Sequence, residues 1–173
     1  MSDQTRRLFF ALWPDDATRL ALFHWQTYNL PADVRWQHRA DLHMTLHFLG
    51  QVEPDRIDEL LDLGESVGKT PFGLLLDEIG YWPKPQVLWA GPTSPPAELL
   101  NLQLALGEGL HGLGFATDER PFRAHVTLAR RVHERPATEP LAPLAWPVSQ
   151  LALVESRPGR APMYHPVGQW ALH

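Results

Sequence analysis

The chain has 173 residues, a net charge of −5, 44% hydrophobic and 20% charged residues, and no cysteine. That length suits one domain with a substantial core, and the composition is ordinary for a globular protein that works in water. The missing cysteines exclude disulfides, thiolate metal sites and cysteine nucleophiles, and the acidic balance excludes broad electrostatic attraction to nucleic acid.

Arg7 to Trp13 reads as a first buried strand, stopped by Pro14. Its apolar run from Leu8 is far too short for a membrane span, and no small-residue cleavage site follows it. A reducing, cytoplasmic setting is the expectation. The acidic pair Asp15-Asp16 suits the start of a helix from about Asp15 to Tyr28, with Leu20, Phe23 and Thr27 at helical spacing. Leu42 to Leu49 follows as a strand closed by Gly50. Pro54 opens a second helix whose apolar stripe is Ile57, Leu60, Leu61 and Val67. Phe72 to Ile79 and Gln86 to Ala90 read as a strand pair joined around Pro83 to Pro85.

The second half repeats this order. Pro95-Pro96 leads into a helix with Leu99, Leu102, Leu106, Leu110 and Leu113 on one side, stopped by Gly112 and Gly114. The segment Asp118 to Ala124, a strand from His125 to Arg130 and a proline-rich connector from Pro136 to Pro147 come next. Gln150 to Ser156 and Tyr164 to Leu172 close the chain as two more strands. The expected fold is α+β: two lobes related by a pseudo-twofold axis, mainly antiparallel sheets, outer helices and a central cleft, within one bilobal domain over residues 1–173.

Two of these strands carry the same phrase, His-Met-Thr-Leu at His43–Leu46 and His-Val-Thr-Leu at His125–Leu128. With nine His and nine Thr in the chain, one His-x-Thr match means little. Adding the leucine lowers the chance expectation to roughly 0.07 per chain, and two copies to a few in a thousand. Residues i and i+2 of a strand share a face, so His43 stands beside Thr45 and His125 beside Thr127. If the strands face each other across a cleft, two imidazoles and two hydroxyls converge on one small anion. Imidazoles titrate near neutrality, so one can act as base and the other as acid on opposite sides of a phosphorus. The hydroxyls can donate to the oxygens on which charge develops. A strained five-membered cyclic phosphate suits such a site without a metal or other cofactor.

His47 falls on the face of His43 and Thr45 by alternation, which makes it a candidate cleft residue. Phe48 could flank a nucleobase, although an apolar strand residue is more often core, and core is the expectation. Strict alternation points Arg130 away from His125, so a phosphate-binding role for it needs a twist or bulge at the strand end. Thirteen of the fifteen basic residues are Arg, and seven of these lie between Arg120 and Arg160. Arg offers a planar fork suited to phosphate, whereas Lys is a point charge. His24, His38, His111, His133, His165 and His173 have no partner pattern and read as surface or structural.

The paired His-x-Thr-Leu strands, the opening Arg7–Leu12 and His43–Gly50 resemble the 2H phosphoesterase superfamily. The run Arg120–Arg130, together with the closing Tyr164 and Trp170-Ala-Leu, is similar to its bacterial and archaeal RNA 2′,3′-cyclic phosphodiesterases, historically called 2′-5′ RNA ligases. The resemblance implies metal-independent hydrolysis of a terminal RNA 2′,3′-cyclic phosphate to a 2′-phosphate. It implies His43 and His125 as the catalytic pair, and Thr45, Thr127 and Arg130 as phosphate ligands. His125 is assigned the base role and His43 the acid role, with the order open to exchange. RNA ends, nucleoside 2′,3′-cyclic phosphates and tRNA halves are the implied partners, for a monomer with no membrane association. Other cyclic nucleotides, a 2′-5′ oligonucleotide, or a module that binds RNA ends without turnover remain alternatives.

Overall fold

The computed structural model describes residues 4–173, which form two four-stranded sheets, a two-stranded ribbon and three α-helices. In chain order the elements are β1 (Arg6–Leu12), α1 (Asp16–Asn29), β2 (Arg35–Trp36), β3 (Met44–Val52), α2 (Ile57–Ser66), β4 (Phe72–Leu76), β5 (Glu78–Trp82), β6 (Val87–Gly91), α3 (Ala97–Gly112), β7 (Val126–Arg130), β8 (Leu144–Val148), β9 (Gln150–Ser156) and β10 (Tyr164–Ala171). The first sheet runs β10-β9-β1-β3 and the second β2-β7-β6-β5. All pairings are antiparallel. The class is the expected α+β.

The halves repeat one unit. β1 and β3 are antiparallel neighbours joined through α1, and β6 and β7 are antiparallel neighbours joined through α3. Each unit ends in a strand carrying one His-x-Thr-Leu phrase, and β3 and β7 lie against each other where the sheets meet. α1 leaves the first sheet to cover the second, while α3 leaves the second to pack on β3. The crossover explains why a single apolar cluster draws on both sheets and all three helices.

Helix α1 turns a different face inward from the expected one. Asp15 caps it, accepting from Thr18 N at 2.7 Å. The buried residues are Thr18, Leu22 and Gln26, whereas Leu20 is 47% exposed. The inward stripe is therefore rotated from the expected Leu20, Phe23 and Thr27, because two of its three buried positions are polar. Helix α3 buries Leu99, Leu102, Leu106 and Leu110 as its spacing requires.

The expected single strand Phe72 to Ile79 is two. Asp77 accepts from Thr93 N and Thr93 Oγ1 at 2.7 and 2.8 Å, and this side-chain competition marks the break. Before it, β4 pairs with β8; after it, β5 forms the hairpin with β6. Part of the expected proline-rich connector is thus strand β8, whose Trp146 is fully buried. Its Pro147 is accommodated opposite Gly73 in a ribbon of only two strands.

Candidate active site

His43 stands at the entry to β3, and its ring is fixed at both nitrogens. Nδ1 lies 2.7 Å from the carbonyl of Asp41 and Nε2 lies 2.9 Å from Thr45 Oγ1. A carbonyl only accepts, so Nδ1 carries the hydrogen, and the neutral ring presents an unprotonated Nε2 that accepts from the threonine. Phe9 and Tyr164 close on the ring at 4.9 Å between centroids, and Trp13 stacks at 6.2 Å. The carboxylate of Asp41, 1% exposed, accepts from Met163 N and Tyr164 N at 3.0 Å each. One residue therefore orients the imidazole through its backbone and seats the β9–β10 loop through its side chain.

His125 repeats the arrangement ahead of β7. Its Nδ1 lies 2.8 Å from the carbonyl of Arg123, so Nε2 is again the bare nitrogen. Trp82 meets the ring edge-on at 4.6 Å, with Trp89 behind at 6.5 Å. Thr127, two residues on with no register shift between Val126 and itself, projects from the same face. It is buried, at 9% exposure.

Arg130 reaches that face because the strand bulges. Thr127 pairs with Trp89 but Ala129 pairs with Leu88, so Leu128 is an extra residue and everything beyond it is turned over. The bulge is held from α1: Gln26 Nε2, fully buried, donates to the carbonyls of Leu128 at 2.9 Å and Gln37 at 3.0 Å. Gln37 N donates to the same Leu128 carbonyl, and Gln37 Oε1 accepts from Arg130 Nε at 3.3 Å.

A second bulge works against His47. Thr45 pairs with Ala11 and His47 with Phe10, which makes Leu46 the extra residue and puts His47 on the opposite face from Thr45. His47 leans on α3 instead, with Nε2 2.7 Å from the carbonyl of Gln103. A Cβ at position 107 would come within 3.1 Å of its ring, so Gly107 makes the approach possible. Phe48 departs from its expected core position: 49% exposed, it carries the Arg7 guanidinium 4.9 Å from its ring centroid.

Burial pushes the His43 imidazole down to about 4, its bond to the Asp41 carbonyl opposes this, and the charges of Arg130, His125 and Arg19 lower it further. His125 is lowered by burial and by Arg130, against the pull of the Arg123 carbonyl. Both rings are therefore neutral at pH 7 without an anion between them, and protonating one disfavours protonating its partner.

The cleft has two chambers. The first, about 630 Å³, lies between the sheets and is bounded by His43, Thr45, Phe48 and Arg130, with Trp36, Tyr164 and the β9–β10 loop. The second, about 520 Å³, is bounded by His125, Trp82, Phe122 and His47. Both share Thr45, Phe48 and Pro85, so the imidazoles open to opposite sides of one shared wall. Thr127 borders neither chamber. His38, expected to be structural, does border the first chamber while capping the turn at Arg39–Asp41, accepting from Ala40 N at 3.0 Å. Among the described residues no group of three or more His, Asp or Glu is placed to hold a metal ion.

Sequence reasoning missed Asp41, Gln26, Gln37, Trp36 and Trp82. Each acts through a backbone partner or a remote strand, and only the lone buried-face glutamine of α1 leaves a trace in the sequence. A charge-bearing arrangement of this kind can hold a phosphate diester between a base and an acid.

Residues 12–89 match the family described as LigT-like phosphoesterase. The chain is 32% identical to the RNA 2′,3′-cyclic phosphodiesterase of Escherichia coli, with 98% of each chain covered. It is also 32% identical to the enzyme of that name from Thermus thermophilus, over 96% of this chain and 90% of the relative. The crystal structure of E. coli LigT complexed with 3′-AMP is similar with a TM-score of 0.88 and 31% identity, covering 98% and 99% of the two chains.

Proposed function

The chain belongs to the LigT-like phosphoesterase family, and on that footing we propose that it hydrolyses RNA 2′,3′-cyclic phosphates to 2′-phosphates. It is an enzyme, a phosphoric diester hydrolase. The observation that carries the reading is the matched pair of imidazoles. Each ties Nδ1 to a carbonyl two residues back, leaves Nε2 without a hydrogen, and borders one of two adjoining chambers.

The nucleoside occupies the first chamber, where Phe9, Trp36 and Tyr164 offer flat surfaces and Arg130 supplies charge. Its O3′ then faces His43, and water approaches from the second chamber past His125. His125 Nε2 takes a proton from the water as the new P–O bond forms. The P–O3′ bond breaks, and His43 Nε2–H delivers a proton to O3′, leaving the phosphate on O2′. His43 acquires that proton when the anionic substrate seats, since a negative charge beside a buried imidazole favours its cationic form. Thr45 and Arg130 bind the non-bridging oxygens as charge builds there, whereas Thr127, which borders neither chamber, backs the wall beside His125. No metal enters these steps.

A 5′-hydroxyl in place of water would form a P–O5′ bond and leave a 2′-5′ linkage, so tRNA halves are candidate substrates for joining. All the groups named come from one chain, so one copy suffices for the chemistry, and we take the enzyme to act as a monomer in the cytoplasm.

The test is mass and NMR analysis of the product from a dinucleotide ending in 2′,3′-cyclic phosphate, with and without EDTA. A 2′-phosphate formed equally in both is expected, with at least a hundredfold loss in His43→Ala and His125→Ala. Full activity in either variant would refute the two-imidazole mechanism. Binding without product would favour a module that holds RNA ends.

A further inference from the structure

Five arginines border the first chamber: Arg7, Arg35, Arg130, Arg131 and Arg160. Only Arg130 is needed at the reacting phosphate. None of the five forms an ion pair with a carboxylate among the described residues, whereas Arg6, Arg56, Arg120 and Arg157 elsewhere each do. The one carboxylate on the chamber wall, Asp41, is already engaged by two backbone amides. Arg35 also lies directly opposite Arg130 in the β2–β7 ladder. Like charges so placed repel, and the repulsion is relieved when an anion sits between them. Arg131 follows at φ 55°, a left-handed conformation uncommon for a bulky residue. On a chain of net charge −5, this is a concentrated cationic wall. One cyclic phosphate, carrying a single negative charge, leaves most of it unanswered.

We propose that Arg7, Arg35, Arg131 and Arg160 form a subsite for the internal phosphates of the RNA strand whose end carries the cyclic phosphate. The inference rests on the function proposed above and goes beyond it in assigning the residues that hold the strand upstream of the reacting end. The guanidinium forks suit phosphate oxygens without reading sequence. Phe48, under Arg7, offers a ring on which a base can stack at the rim.

Two measurements test this on the intact chain. The first compares kcat/KM for a trinucleotide ending in 2′,3′-cyclic phosphate with that for the corresponding mononucleotide. The trinucleotide carries two more phosphates, each adding about 0.7 to the salt slope on a single strand, so its advantage falls about sevenfold between about 50 and about 200 mM KCl. Arg35→Gln with Arg160→Gln cuts that advantage at least tenfold at low salt, and lysine at both positions restores much of it. The second is the dissociation constant of the 2′-phosphorylated trinucleotide against that of the mononucleotide, which does not depend on turnover. Equal constants, or equal salt slopes for both substrates, would overturn the subsite. Tighter trinucleotide binding with no turnover of either substrate would leave the subsite standing and remove the proposed reaction. Circular dichroism and thermal unfolding establish that the doubly substituted chain folds.

Discussion

Replacing Gln26 with leucine removes the two bonds that hold the bulge behind Arg130 while nearly conserving side-chain volume. Gln26 Nε2 donates to Leu128 and Gln37 carbonyls, and its own Oε1 is buried without a partner. Two buried bonds contribute about 1–3 kcal/mol, and loss of the orphaned acceptor returns about 1 kcal/mol. The net loss of stability is therefore about 0–2 kcal/mol, readable as a lower urea midpoint at unchanged slope. The effect on turnover follows a different route. The Leu128 carbonyl keeps its bond from Gln37 N, so β7 stays paired, but the backbone carbonyl of Gln37, the residue whose side chain meets Arg130, loses its partner. A charge-assisted contact to phosphate contributes about 1.5–3 kcal/mol, so Arg130→Gln lowers kcat/KM by about 10- to 100-fold. Gln26→Leu loses part of the same contact, about tenfold. If both act through Arg130, the doubly substituted enzyme is no slower than Arg130→Gln alone, a strongly non-additive cycle. Losses that multiply, or a Gln26→Leu enzyme with full kcat/KM and reduced stability, would show that the glutamine merely stabilises the fold.

The pH–rate profile of kcat/KM should be bell-shaped and centred on the acid side of ~6.5, because both free-enzyme imidazoles are lowered. Arg130→Gln removes a charge that lowers both, so its bell moves to higher pH; a bell that stays in place, or moves down, contradicts the placement of Arg130. His43 also links stability to pH. Its folded value lies below its unfolded one, so the unfolded chain binds more protons between them, and stability is lost as pH falls from ~6.5 through about 4. The contribution is at most about 3 kcal/mol, and His43→Gln should flatten that part of a urea-unfolding series, whereas an unchanged slope would place the ring in water. A substrate with sulfur in place of O3′ separates the two roles. Its thiolate leaves without a proton, so it should restore turnover to His43→Ala and not to His125→Ala, and rescue of the opposite variant would exchange acid and base.

Much of the site is legible in the sequence because it is local. His43 with Thr45, and His125 with Thr127, follow from a period of two, and the leucine stripe of α3 follows from a period of 3.6. The need for a bulge before Arg130 can be stated from alternation alone, and the structure supplies it at Leu128. The same kind of bulge at Leu46 carries no sequence mark, which is why alternation puts His47 on the wrong face. The inward face of α1 escapes an apolar pattern because Thr18 and Gln26 are buried for their hydrogen bonds or packing rather than their apolarity. The ribbon of β4 and β8 joins segments about seventy residues apart, and no short-range pattern couples Leu74 to Trp146. Strand β2, two residues long, has no period to detect.

Repetition explains how the site is built, but repetition alone would not divide its labour. Two imidazoles held in identical surroundings would compete for one proton with no preference for either side of the phosphorus. The halves differ where it matters. His43 is walled by Phe9, Trp13 and Tyr164 from its own sheet and the β9–β10 loop, and lies deeper than His125, which meets Trp82 beside the second chamber. Burial is the largest cause of the lowering at both rings, and the charge of Arg130 acts on both, so one anion between them relieves both at once. The deeper ring gains most from that relief, because an unscreened charge is worth more where water is excluded. In the proposed mechanism, seating the phosphate is the event that loads His43 with its proton, while His125 stays neutral towards the entering water. The asymmetry lies in the aromatic walls rather than in the repeated phrase, and on the proposed mechanism it is those walls that separate acid from base.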